Sequence, residues 1–99
     1  MVTVTLLYVD GCPNWRLADQ RLRELQAEAG FTLEHVRVDT PEEAQRLGFH
    51  GSPTVLVDGA DPFATEDAPP GLACRVYDTS TGLRGTPTLD QLRSVLGEP

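Results

Sequence analysis

The sequence predicts an α/β fold, a four-stranded mixed sheet flanked by helices in the order β-α-β-α-β-β-α, in one domain over residues 1–99. Three observations carry this expectation. An apolar, β-branched run opens the chain and gives way at once to a helical apolar stripe. A second strand-like run follows, so the chain begins β-α-β, and right-handed crossovers leave few topologies for such a start. Each later helix is announced by its own capping box, Thr40-Pro41-Glu42-Glu43 and Thr88-Leu89-Asp90-Gln91.

Val2 to Val9 is rich in Val, Thr and Leu and reads as a buried strand. From Asn14 to Gly30 the pattern turns helical. Ala18, Leu22, Leu25 and Ala29 form one apolar stripe, Arg16, Arg21, Arg23 and Glu28 occupy other faces, and Gly30 is the stop. Leu33 to Val38 alternates as a strand. Pro41, at the first helical position, starts a short helix ending near Gly48. Thr54 to Val57 is the next strand, and Asp58-Gly59 is a turn. Residues 60–73 form a proline-rich loop of a length often associated with function. Cys74 to Asp78 is a short strand, Ser80 to Gly85 a turn. The last helix places Leu89, Leu92, Val95 and Leu96 on one face and closes at Gly97.

The chain of 99 residues carries 15 acidic and 8 basic side chains, a formal charge of -7. That balance argues against nucleic acid and anionic membranes as partners, since both attract basic surfaces. All the basic side chains are arginine, with no lysine, a bias typical of GC-rich, for instance actinobacterial, genomes. No apolar run is long enough to span a membrane, and no basic segment precedes an apolar one at the N-terminus. A cytoplasmic location is the expectation. In a reducing compartment, two cysteines point to reactivity or metal binding sooner than to a structural staple.

The chemistry centres on Cys12, in the run Asp10-Gly11-Cys12-Pro13-Asn14-Trp15. It sits where a strand meets a helix. Unpaired N–H groups and the helix dipole stabilise a thiolate there and lower its pKa. Pro13 fits the first turn without losing a hydrogen bond. This leaves Cys12 near the N-cap and partly exposed, while packing as a small apolar residue is the plainer alternative. Further along stand His50 and Gly51-Ser52-Pro53-Thr54, the latter leading into the third strand.

At these two places the chain resembles the thioredoxin superfamily, in which a cysteine opens the first helix and a cis-proline before a later strand packs beside it. The resemblance implies a thiol-disulfide oxidoreductase or thiol carrier with Cys12 as nucleophile. It also implies a cis bond at Pro53, in a loop that binds substrate as an added strand and keeps metals off the thiolate. Trp15 stands where the family's second cysteine would fall. Cys12 therefore works as a monothiol or with a distant partner, and Trp15 packs in the core or as a lid. Cys74 is the sole internal partner. In such a fold its strand should begin at the end of the sheet remote from Cys12, whereas a disulfide needs Cα atoms within about 7 Å. A buried, unpaired Cys74 stands beside the paired one as an expectation.

The fold would also bring His50 near Cys12, to stabilise the thiolate or shuttle a proton, unless it is a solvated loop residue. Asp10 and Asp39 would end their strands near the same edge, raising the thiol's pKa or relaying a proton. No cofactor is expected. The anticipated partner is a protein or low-molecular-weight thiol or disulfide, and the chain should be a monomer or weak homodimer. Two alternatives stand beside this reading. One is a non-catalytic thioredoxin-like module that binds a protein partner at the sheet edge or the long loop. The other is soft-metal or organomercurial handling by Cys12 and Cys74, with Asp10 or Asp39, because the Cys-Pro-Asn and Gly-Ser-Pro-Thr pattern is similar to short proteins labelled alkylmercury lyase-like.

Overall fold

The initial β-branched run forms β1 (Thr3–Tyr8), and the amphipathic stripe forms α1 (Asn14–Ala29). Then come β2 (Thr32–Arg37), α2 (Pro41–Leu47), β3 (Thr54–Val57), β4 (Tyr77–Thr79), β5 (Gly82–Arg84) and α3 (Leu89–Val95). The computed structural model describes residues 2–63, 72 and 74–96. The expected loop over 60–73 therefore lies largely outside the described residues, as does the expected stop at Gly97.

The architecture is mixed α/β. β1 is the central strand of a three-stranded sheet, order β2-β1-β3. It pairs in parallel with β2, from Thr3 opposite Thr32 to Tyr8 opposite Arg37, and antiparallel with β3, from Val4 opposite Val57 to Leu7 opposite Thr54. Side chains alternate across a strand. Val4 and Leu6 accordingly join Val55 beneath α1 and α3, packing with Ala18, Leu22, Leu25, Phe31, Leu92 and Leu96. Leu7 faces the other way and packs with Val38, Ala44 of α2 and Phe49. Ala29, at the foot of the predicted stripe, is exposed, because α1 ends there and Gly30 turns left-handed at φ 72°.

The predicted capping box forms in full at α3 and in half at α2. Thr88 Oγ1 accepts from the Gln91 N–H while the Gln91 side chain accepts from the Thr88 N–H. At α2, Thr40 accepts from the Glu43 N–H, but the Glu43 carboxylate takes the Asp39 N–H one residue earlier.

The sheet departs from expectation at its fourth strand. No four-stranded sheet forms among the described residues; β4 and β5 make a separate hairpin. Cys74 meets Ser52 in a single parallel bridge and Arg75 N–H donates to the Ser52 carbonyl at 2.9 Å, but no ladder continues along β3. The competing partner is local. Ser80 to Gly85, expected as a turn, holds β5, and a two-residue connection pairs Tyr77 with Arg84 and Thr79 with Gly82. Gly82, at φ 102°, supplies the positive φ this tight connection uses. Closing so short a loop costs far less chain entropy than extending a ladder across the 60–73 segment. At its other end, β3 is occupied by its own turn. Asp58 and Gly59 take positive φ, and Val57 and Ala60 exchange both backbone hydrogen bonds.

Candidate functional site

The site is assembled by the loops at one end of the sheet. Beyond β1 the chain turns, with the Cys12 N–H donating to the Val9 carbonyl at 3.1 Å. Pro13 occupies the N-cap of α1, so Cys12 stands one residue before the cap. It is only 3% exposed, not the partly exposed residue the sequence suggested. The reason is the loop packed over it. The Ser52 side chain accepts from the Val9 N–H at 3.0 Å, and the Ser52 carbonyl oxygen lies 3.6 Å from Cys12 Sγ. Thr54 Oγ1 donates to the Gly51 carbonyl at 2.6 Å and holds the loop's shape. The Ser52-Pro53 peptide is cis.

Cys74 is brought to this point and bonded to Cys12 in a disulfide, with Cα atoms 6.0 Å apart across 62 residues of sequence. The expectation that Cys74 lies remote from Cys12, or is buried, is therefore corrected. Its strand does not start at residue 74, the Ser52 bridge draws the segment to the near end of the sheet, and Cys74 is exposed.

The neighbours of Cys74 fix this placement. Arg75 reaches inward, its Nη1 2.7 Å from Asp61 Oδ2 and its Nη2 donating to the Phe63 carbonyl at 2.6 Å. Both charged side chains are about nine-tenths buried, at 10% and 8% exposure. The guanidinium also lies over the Tyr77 ring, 4.6 Å from its centre, and Tyr77 meets Phe63 in a T-shaped contact. The Tyr77 hydroxyl donates to the Pro53 carbonyl. Burial pushes the Tyr77 phenol well above its ordinary range; Asp61 adds to that and Arg75 opposes it. The Cys74 segment thus donates to Ser52 from the Arg75 backbone, to Pro53 from Tyr77, and to Thr54 Oγ1 from Arg75 Nη1 at 3.4 Å.

His50 lines a cavity of about 450 Å³ together with Cys74, Phe63, Arg75, Val76 and Tyr77. Its Nδ1 is buried and has no hydrogen-bond partner among the described residues. Trp15 stacks on Tyr8 with ring centres 4.2 Å apart and packs against the core. Asp39 pairs with Arg37 at 2.9 Å, and Asp10 is exposed in the turn before Cys12. No cluster of three or more His, Cys, Asp or Glu suited to a metal occurs among the described residues.

Sequence reasoning singled out Cys12, His50, Pro53 and Cys74 but passed over Arg75, Asp61 and Tyr77. The only available signal was an arginine directly beside a candidate cysteine, and an acidic residue to bury with it could not be chosen from fifteen. Chemically, the arrangement is a sulfur pair with one buried and one accessible member, held by a proline loop and an ion pair. The chain matches no protein-family model and no curated protein sequence.

Proposed function

We propose that this protein is a thioredoxin-like thiol-disulfide oxidoreductase in which Cys12 and Cys74 form the redox pair. The observation that supports the reading most is the disulfide between them, which joins the turn before α1 to the segment ahead of β4 across 62 residues of sequence, beside the cis Ser52-Pro53 bond. A β-α-β start with β2 parallel and β3 antiparallel to β1 is in keeping with it. Cys12 supplies the sulfur on the helix side, and Cys74 supplies the second sulfur that Trp15 cannot.

The reaction conserves electrons. A dithiol substrate gives one thiolate to the protein disulfide, forming a mixed disulfide and releasing one protein thiolate. The substrate's second thiolate then displaces the other protein sulfur. The substrate leaves as a disulfide, its two protons pass through solvent to the protein thiolates, and Cys12 and Cys74 end reduced. The reverse sequence reduces a substrate disulfide.

The organomercurial alternative needs both thiols free, so it requires prior reduction of this bond. The test of the oxidoreductase reading is reduction of insulin by dithiothreitol in the presence of the protein. The wild type accelerates it, and Cys12→Ser and Cys74→Ser each abolish the acceleration. A wild type with no effect over the uncatalysed rate contradicts the reading.

A further inference from the structure

We infer that the sulfur which exchanges with an external thiol is Cys74, and that Cys12 is its internal partner, the leaving thiolate when the disulfide opens and the nucleophile when it closes. This rests on the oxidoreductase reading and assigns the two sulfurs within it in the opposite sense to the one the sequence suggests.

Which sulfur of a disulfide is attacked depends on access as well as on the acidity of the leaving thiol. The attacking thiolate must approach along the S–S axis, from the far side of the sulfur it attacks. Cys12 is 3% exposed, covered by the Ser52 loop. Cys74 is exposed and lines the 450 Å³ cavity; Cys12 does not. That volume suits a small molecule, and its rim carries apolar side chains, Val76 at 62% and Leu83 at 67% exposure. The ligand class is a low-molecular-weight thiol, or its disulfide in the reverse direction.

The chemistry follows from the placement. The small thiol loses its proton to solvent and attacks Cys74 Sγ. An S–S bond forms to Cys74, the Cys12–Cys74 bond breaks, and Cys12 departs as the thiolate at the start of α1. A second molecule of the same thiol attacks the sulfur of the first, giving a small-molecule disulfide and the Cys74 thiolate. Two thiols are oxidised and one protein disulfide is reduced. In reverse, Cys74 attacks the small disulfide and Cys12 displaces the small thiol from Cys74. The last step needs Cys74 to stay beside Cys12 once their bond is broken. The Arg75 contacts to Ser52, Asp61 and Phe63 hold it there without the disulfide.

The experiment uses the oxidised wild-type protein and 2-mercaptoethanol. The reaction is stopped early with acid and maleimide, and the cysteines are mapped by mass spectrometry. The expected species carries 2-mercaptoethanol on Cys74 and maleimide on Cys12. An adduct on Cys12 with maleimide on Cys74 overturns the inference and leaves the oxidoreductase reading standing. A disulfide that resists the thiol altogether overturns both. If resolution outruns trapping, competitive alkylation of the fully reduced protein decides. Cys74 should label at least about tenfold faster than Cys12 on access alone, and equal labelling or faster labelling of Cys12 overturns the inference.

Discussion

Tyr77 shows how a single side chain ties the site to the core. Its hydroxyl donates to the Pro53 carbonyl from a buried position. Removing that donor leaves the carbonyl short of a partner, so Tyr77→Phe should cost about 1–2 kcal/mol in denaturant unfolding. The same change should alter the alkaline limb of stability. The phenol's folded pKa is raised, chiefly by burial. Its contribution is therefore present below the unfolded value of about 10 and declines as pH rises past it. Tyr77→Phe should flatten that decline in unfolding curves taken between about pH 9 and 11; an unchanged slope would exclude Tyr77 as its source. At this scale, Cys12 and Pro53 were legible because their motifs are local: a cysteine before a helix and a proline before a strand. The exposure of Cys12 was not, because it depends on Ser52, forty residues away in sequence and packed over the sulfur. Nor was the buried Arg75–Asp61 pair, since nothing in a charged residue's identity says it will be buried.

Among the elements, the helices and the first three strands follow the sequence closely because their signals are periodic and their caps are local. Predicted Thr54 to Val57 is β3 to the residue, and Leu33 to Val38 differs from β2 by one position. The fourth strand failed for a physical reason. A sequence pattern marks a segment as extended but does not say which edge it joins, and a two-residue hairpin outcompeted the distant ladder. What the segment kept of the sheet is the contact at Ser52, secured from the side by Arg75 and Asp61. Breaking a buried ion pair by removing one charge leaves the other uncompensated. Asp61→Asn should therefore destabilise the protein by about 3 kcal/mol and speed reduction of the disulfide by small thiols. Urea unfolding and a dithiothreitol time course check the two effects. A variant as stable as the wild type would mean the pair carries no net weight.

At the scale of the molecule, one covalent bond links the N-terminal β-α unit to the segment before the hairpin. The closed loop of 62 residues limits the unfolded ensemble strongly. On chain-entropy grounds its reduction should lower stability by up to about 4 kcal/mol. Comparing the oxidised protein with Cys74→Ser in denaturant tests this, and equal midpoints would show that the bond leaves the unfolded chain unconstrained. The packing does not depend on the bond alone. The two core clusters on opposite sheet faces involve β1, β3 and all three helices and contain neither sulfur. The reduced chain should therefore stay folded, as the proposed reaction requires.

The proposed function makes this disulfide a working redox couple. The most direct measurement is its reduction potential, by equilibration in graded dithiothreitol buffers with the thiols counted by mass after alkylation. An exposed, exchangeable bond should titrate at a potential more positive than about −300 mV. A bond that stays oxidised until well below that value would be a structural staple, and the proposed activity would be contradicted.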